Sequence, residues 1–277
     1  MLSFYIFVVI LFQMKPAKNL ILLLLLFFIQ RLSADEYELN QTALHLNARD
    51  FSLGGFICNM EPVPNQSIEV TYLAPYQLKE LSTRKLEFYR TFQSMDGKIG
   101  WSQSGTMDWM ENYLTLHLGK KLNDVLYLGV TFDVLLIDDV LDKTICAFFA
   151  EVDCHYLLSE KVTIGLSLVN PSGASIQSFN KKIPLSSAAF LATRMAPTKT
   201  CLLFGELGTG INQKVIARLG LEYTLTKALI LRTGLSTEPL MPCWGIGGSV
   251  HHFNYSWGGN MHPILGISNG FTLNYSW

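Results

Sequence analysis

Along most of the chain apolar and polar residues alternate with a period of two, the signature of a β-strand whose two faces meet different surroundings. Over 214–225, Val215, Ala217, Leu219, Leu221, Tyr223 and Leu225 share one face. Lys214, Arg218, Gly220, Glu222 and Thr224 share the other, and only Ile216 is out of place. The pattern repeats at 228–236, where Leu229, Leu231, Thr233 and Leu235 oppose Arg232, Gly234 and Ser236. At 125–136, Leu126, Leu128, Val130, Phe132, Val134 and Leu136 oppose Tyr127, Gly129, Thr131 and Asp133. At 145–156, Cys146, Phe148, Ala150, Val152, Cys154 and Tyr156 oppose Glu151, Asp153 and His155; at 161–168, Val162, Ile164, Leu166 and Leu168 oppose Lys161, Thr163, Gly165 and Ser167. Arg90 interrupts the apolar face of Leu86, Phe88 and Phe92, and the register of 187–207 is ambiguous. Such runs give about fifteen candidate strands. Short polar turns are expected at Leu122-Asn123-Asp124, Ser159-Glu160-Lys161 and Thr226-Lys227, and longer loops at 137–143, 170–186 and 259–268. Short turns at one end and longer loops at the other is the outer-membrane barrel pattern.

Alternation alone fits two architectures. In a soluble sandwich the apolar face points inward and the polar face meets water; in a membrane barrel the apolar face meets lipid and the polar face lines the lumen. Composition favours lipid. Of 277 residues, 49% are hydrophobic and 16% charged, and mean hydropathy is +0.25, against roughly 25% charged in an ordinary soluble domain. Such a chain can bury ample apolar surface, which excludes disorder. Many runs also reach the ~9–11 residues of a tilted membrane-crossing strand. No later stretch offers the ~18 consecutive apolar residues of a helical span. The net charge of −1 argues against a nucleic-acid partner, which needs a basic excess.

Residues 20–29 (LILLLLLFFI), preceded by Lys15 and Lys18 and followed by Ser33-Ala34, read as the apolar core of a secretory signal peptide. The expected division is a signal peptide over 1–34, cleaved after Ala34, and a barrel over 35–277. The second apolar run, Met1–Phe12, is explained if translation starts at Met14. The five cysteines (Cys58, Cys146, Cys154, Cys201, Cys243) show no CxxC spacing, which removes zinc-finger and thioredoxin-like readings. Cys146 and Cys154 share one strand and cannot pair; all five read as small apolar fillers.

The chain ends Phe271-Thr272-Leu273-Asn274-Tyr275-Ser276-Trp277, with an apolar residue at every odd position. This resembles the terminal strand of Gram-negative outer-membrane barrels, in which Phe271, Leu273, Tyr275 and Trp277 would close the barrel and be read by the barrel-assembly machinery. A wider likeness starts at Asn47-Ala48-Arg49-Asp50-Phe51-Ser52-Leu53-Gly54-Gly55. It continues through Gly119-Lys120-Lys121-Leu122, Leu168-Val169-Asn170-Pro171, Ala217-Arg218-Leu219-Gly220-Leu221-Glu222-Tyr223 and Leu231-Arg232-Thr233-Gly234-Leu235-Ser236. It ends with His262-Pro263-Ile264-Leu265-Gly266. In these segments the chain resembles the PorV/PorQ-type outer-membrane barrels, relatives of the FadL-type long-chain fatty-acid transporters. The resemblance implies an all-β fold, a transmembrane antiparallel barrel of about fourteen strands, in the outer membrane of a Gram-negative bacterium. It also implies a non-enzymatic role, either handling hydrophobic small molecules or acting as a type IX secretion accessory. Partners would be outer-membrane lipid, the assembly machinery, and a hydrophobic ligand or secretion-system proteins. The segment Phe56–Gln66 departs from the family: it is short and lacks an Asn-Pro-Ala-Gly stretch, which argues against an N-terminal hatch in the lumen.

Candidate chemistry is sparse. No GxSxG elbow occurs (Gly247-Gly248-Ser249-Val250-His251 ends in His) and no phosphate-binding fingerprint appears. His251-His252 reads as a turn or rim rather than a metal site, so no catalytic, cofactor or metal residue is expected. Lumen-lining candidates are Glu151, Asp153, His155, Arg218, Glu222 and Arg232, read first as charges that pair across strands and brace the barrel. Trp101, Trp109, Tyr113, Trp244, Phe253, Tyr255 and Trp257 are expected in aromatic girdles. The alternatives to the leading reading are a general porin-like channel, an outer-membrane barrel lipid hydrolase and an exported sandwich. Few charges on the polar faces and a strand number near the lower limit for an open pore count against the porin.

Overall fold

The computed structural model describes residues 37–277, except 59, 61–65, 94, 107, 140–143, 179–180 and 210–214. The expected signal peptide and the Met14 start lie outside the described residues. Two short helices, α1 (Gln41–Leu44) and α2 (Ala48–Leu53), come first. Seven strands follow: β1 (Gln66–Ala74), β2 (Thr83–Phe92), β3 (Met95–Gly105), β4 (Trp109–Lys121), β5 (Leu126–Asp139), β6 (Thr144–Ser159) and β7 (Val162–Val169). A small hairpin, β8 (Ser175–Ser178) and β9 (Lys181–Pro184), precedes β10 (Ala188–Thr198), β11 (Cys201–Thr209), β12 (Val215–Thr226), β13 (Leu229–Ser236), β14 (Met241–Val250), β15 (Phe253–His262) and β16 (Gly266–Ser276). Apart from the hairpin, these strands form one closed antiparallel barrel of fourteen, in the order β1-β16-β15-β14-β13-β12-β11-β10-β7-β6-β5-β4-β3-β2.

Closure is made by β1 against β16, with Ile68 opposite Tyr275, Val70 opposite Leu273 and Tyr72 opposite Phe271. Within hydrocarbon an unpaired backbone group costs several kcal/mol, so a sheet without an edge is the stable solution. The apolar faces point outward. Leu219 is 62% exposed, Phe148 70% and Phe132 52%, and Phe271, Leu273, Tyr275 and Trp277 are all exposed on the same surface. Arg90, within that surface, lays its guanidinium over the Phe92 ring at 4.6 Å, close to the turn that follows Phe92. A long stem in lipid with its charge near the boundary is tolerated there.

Both ends of the barrel sheet, Gln66 and Trp277, meet at one rim. The connections at 93–94, 122–125, 160–161, 199–200, 227–228 and 251–252 fall at this turn end. Three of them are the expected turns, and His251-His252 occupies the last, His251 with φ 54°. The opposite, loop end differs from the expectation at two places. Asp138 still pairs with Thr144, and Met261 with Ile267, so strand extends through Asp139 on β5 and over most of 259–268. The ladder runs on past the apolar stretch because backbone pairing needs no apolar side chain. The longest connection, 170–187, folds on Asn170, which takes φ 49°. The Asn170 side chain donates to the Leu185 carbonyl at 3.0 Å and accepts from Ala174 N–H at 2.8 Å.

Tyr113 corrects the girdle assignment. It sits at an inward position of β4, fully buried, and its hydroxyl accepts from Asn40 N–H at 3.1 Å. Trp101, Trp109, Phe253 and Trp257 are exposed. Reading the strand by its apolar members assigned Tyr113 outward, whereas the ladder puts it beside Ser102 and Leu135. Substituting a charge on the lipid surface tests the orientation of the whole sheet. Leu219→Arg near the middle of β12 should cost about 2–4 kcal/mol, read from denaturant titration of barrels refolded into vesicles; an unchanged midpoint would mean that this face does not meet hydrocarbon.

Candidate functional site

The inward faces of the barrel carry two structures that the alternation does not announce: a docked N-terminal hatch and a charged cavity beneath it. Residues 37–58 run inside the barrel, which corrects the expectation that no hatch would be present. Tyr37 forms a parallel bridge with Leu185, and its N–H donates to the Pro184 carbonyl at 2.7 Å. Leu39, Ala43, Leu44, Leu46 and Phe51 pack with Leu73, Tyr113, Leu135, Ile137, Phe149 and Phe190 from the wall, making a dry core inside the barrel.

The hatch helix α2 is set by its own ends. Asn47 caps it, its side chain accepting from Asp50 N–H at 3.0 Å, and Gly54 and Gly55 end it with φ of 125° and 79°. Its backbone lies against a glycine strip. Gly220 faces Gly234 across β12 and β13, and Gly258 faces both Gly245 and Gly270. A Cβ at Gly234 would collide with the Leu53 carbonyl, and one at Gly258 with the Ala48 carbonyl. The strip is the room in which the helix fits.

Charge pairs then pin the hatch. Glu222 Oε2 accepts from Arg49 Nε at 2.8 Å and from Arg232 Nε at 2.7 Å, and Arg232 reaches Ser256 Oγ at 3.1 Å. Glu206 accepts from the N–H groups of Ile57 (3.1 Å) and Cys58 (2.8 Å) while Arg218 pairs with it from the next strand. Lys85 Nζ donates to the Leu44 carbonyl at 3.0 Å. Burial raises the Cys58 thiol well above its ordinary range, so it stays protonated among these anions. Burial, with the Lys85 and Lys98 charges added, holds the His45 imidazole well below its usual value, leaving it neutral 3.3 Å from Glu151.

Toward the turn end the hatch leaves a cavity of about 590 Å³, bordered above by Leu44, His45, Ile57 and Met60 and at that end by Gln93 and Lys121. Its wall is a set of cross-strand rows on β2 to β6. Glu87, Gly100, Thr115 and Asp133 form one row; Tyr89, Lys98, His117, Thr131 and Glu151 the next; Thr91, Asp96, Gly119, Gly129 and Asp153 the third. Asp96, Tyr127, His117 and Thr131 are joined along the wall. The Tyr127 hydroxyl donates to Asp96 at 2.9 Å, His117 Nε2 stands 2.9 Å from that hydroxyl, and His117 Nδ1 lies 2.8 Å from Thr131 Oγ1. With Tyr127 donating to the carboxylate, the His117 Nε2–H donates to the Tyr127 oxygen. Tyr127 also stacks on His155 at 5.1 Å.

The six lumen candidates therefore separate. Glu151, Asp153 and His155 border the cavity, whereas Arg218, Glu222 and Arg232 belong to the hatch clamp. Pattern reading missed Arg49, Glu206, Lys85, Glu87, Lys98, Asp96 and Asp133, so the lumen is more charged than the polar faces suggested. Glu206 lies in the run of ambiguous register, Lys85 and Glu87 beside the face that Arg90 interrupts, and Arg49 on the hatch helix; the alternation puts Asp133 on a polar face but does not single it out as a lumen candidate. Among the described residues no group of three His, Cys, Asp or Glu side chains has the arrangement of a metal site.

No family model and no curated protein matches the sequence. Solved structures do. The Pseudomonas putida toluene transporter TodX aligns with a TM-score of 0.62 at 8% identity, covering 85% of this chain and 99% of that one. A TodX deltaS2S3 mutant, described as a monoaromatic hydrocarbon channel, gives 0.56 at 9% identity over 83% and 97%. A Pseudomonas aeruginosa FadL homologue gives 0.55 at 9% identity over 83% and 98%. The likeness is one of fold: a closed antiparallel outer-membrane barrel. Gly234→Val should expel α2 from the strip, with the 37–58 segment becoming cleavable by added protease while the barrel keeps its heat-modifiable gel migration. A hatch still protected in that variant would show that the strip does not seat it.

Proposed function

We propose that the chain is a gated outer-membrane barrel of a Gram-negative bacterium, closed at rest by its own N-terminal segment and admitting a small molecule when that segment shifts. The observation that carries this reading is the clamp of Arg49 and Arg232 on Glu222, with Glu206 on the Ile57 and Cys58 amides. Fold neighbours described as a toluene transporter and a hydrocarbon channel support passage of small molecules over enzymatic chemistry. A lumen occupied by residues 37–58 speaks against a general porin. The closing strand, with Phe271, Leu273, Tyr275 and Trp277 on its outer face, would be read by the barrel-assembly machinery.

A hydrophobic cargo, which the family resemblance implies, gains no support from the cavity, whose border is dominated by charged and polar side chains. The second reading, a PorV/PorQ-like accessory of type IX secretion, is favoured by the same plug, since a partner-docking barrel needs no open lumen. A deletion strain that loses surface export while keeping small-molecule uptake would select that reading over the first.

The gate is tested by conductance. The native barrel should be silent in planar bilayers. Glu222→Gln, which leaves two guanidinium groups buried without their shared carboxylate, should loosen the hatch, a change worth roughly 3–5 kcal/mol for a broken buried pair. Current should then appear in brief openings; steady current through the native protein, or silence in the variant, would count against a gate at this clamp. Deleting Trp277 should lower the amount of folded barrel in the outer membrane several-fold without altering refolding of purified protein in detergent.

A further inference from the structure

We propose that the turn-end cavity binds a small organic cation carrying primary amine groups. This names the ligand of the cavity in the closed barrel described above; it rests on that reading for the shape of the site but not for passage through it.

The argument is an inventory of donors and acceptors. The cavity's lysine donors beneath the hatch are already engaged. Lys85 Nζ lies 3.2 Å from Glu87 and donates to the Leu44 carbonyl, and Lys98 Nζ lies 2.9 Å from Glu87. The acceptors on the facing wall are not matched in the same way. Asp133 is 2% exposed; its Oδ1 accepts from the Thr115 hydroxyl at 2.7 Å, and its Oδ2 has no hydrogen-bond partner among the described residues. Glu151, also buried, meets the neutral His45 at 3.3 Å without a hydrogen bond at Oε1. Asp153 borders the same space. Across the β5–β6 ladder, Thr131 is opposite Glu151 and Gly129 is opposite Asp153, so the neighbouring strand supplies no cation to either.

A buried carboxylate oxygen without a donor is costly, and a guest rich in N–H groups supplies what the wall lacks. An anion would be repelled by Asp133 and Asp153, and a neutral apolar guest would leave the Asp133 Oδ2 without a donor. Spacing narrows the class. Glu151 and Asp153 are two residues apart on one strand, about 6.8 Å along it, close to the reach of a four-carbon diamine. Gln93 and Lys121, both exposed, border the cavity at the turn end.

Calorimetric titration of the folded full-length barrel in detergent tests this, with 1,4-diaminobutane as the probe, 1,4-butanediol as its neutral counterpart and glutarate as its opposite in charge. The expected result is saturable binding of the diamine alone, weakened at least tenfold by Asp133→Asn and by Glu151→Gln. Heat-modifiable migration checks that each variant is a closed barrel; should Asp133→Asn fail to fold, Glu151→Gln and Asp153→Asn carry the comparison. Absence of saturable diamine binding by the native barrel, equal binding of the diol, or undiminished binding by the folded variants would overturn the proposal. A negative titration beside a Glu222→Gln barrel that conducts would leave the gate standing. Diamine binding beside a Glu222→Gln barrel that stays silent would remove the gate and keep the site.

Discussion

The structure depends on the ladder between β1 and β16. A sheet in hydrocarbon has no water to satisfy its edge, so the first and last strands of the barrel must find each other. Ser67 to Ala74 pair with Ser276 to Asn269 along the full length of β1. Once that seam is closed, the pleat decides the rest: each outward position meets lipid and each inward one enters the lumen. Ile68, Val70 and Tyr72 and their partners Tyr275, Leu273 and Phe271 accordingly share the outer face.

Closure creates the second problem, an interior too wide for the wall's own side chains to fill. The chain fills it with residues 37–58, and does so differently at the two ends. In the dry core, aliphatic and aromatic side chains of hatch and wall exclude water. Toward the turn end the packing stops at His45, Ile57 and Met60, and charge lines what is left open. Between the two, Glu222 and Glu206 bind hatch groups and wall arginines together. Ion pairs of this kind hold only while all members are present, because a lone buried charge is worse than none. That gives the hatch a seat that is firm when complete and weak once one member moves, which is what a gate requires.

Several residues in the segments that resemble other barrels acquire a physical reason here. Gly220 and Gly234, which sit in the Ala217–Tyr223 and Leu231–Ser236 segments, are paired across two strands and leave the space that Leu53 occupies. Arg49, Gly54 and Gly55, in the opening segment, supply the clamp cation and the two backbone reversals that end α2. The likeness between distant parts of the sequence is thus one docking surface and its ligand, the helix.

The period-two pattern was enough to give the all-β class, the outward faces of β5, β6, β12, β13 and β16, and the turns at 122–124, 159–161 and 226–227, because alternation and turn chemistry are local. It also placed Glu151, Asp153, His155, Arg218, Glu222 and Arg232 on polar faces. It could not give the hatch, since a six-residue helix of mixed polarity has no periodic signal of its own and is stable only against the glycine strip. Nor could it place Tyr113 or Lys98, or show what Asp133 faces across the lumen, since their meaning comes from rows that cross four or five strands. Those rows are fixed by register around the closed barrel, a property of paired strands that no single strand carries.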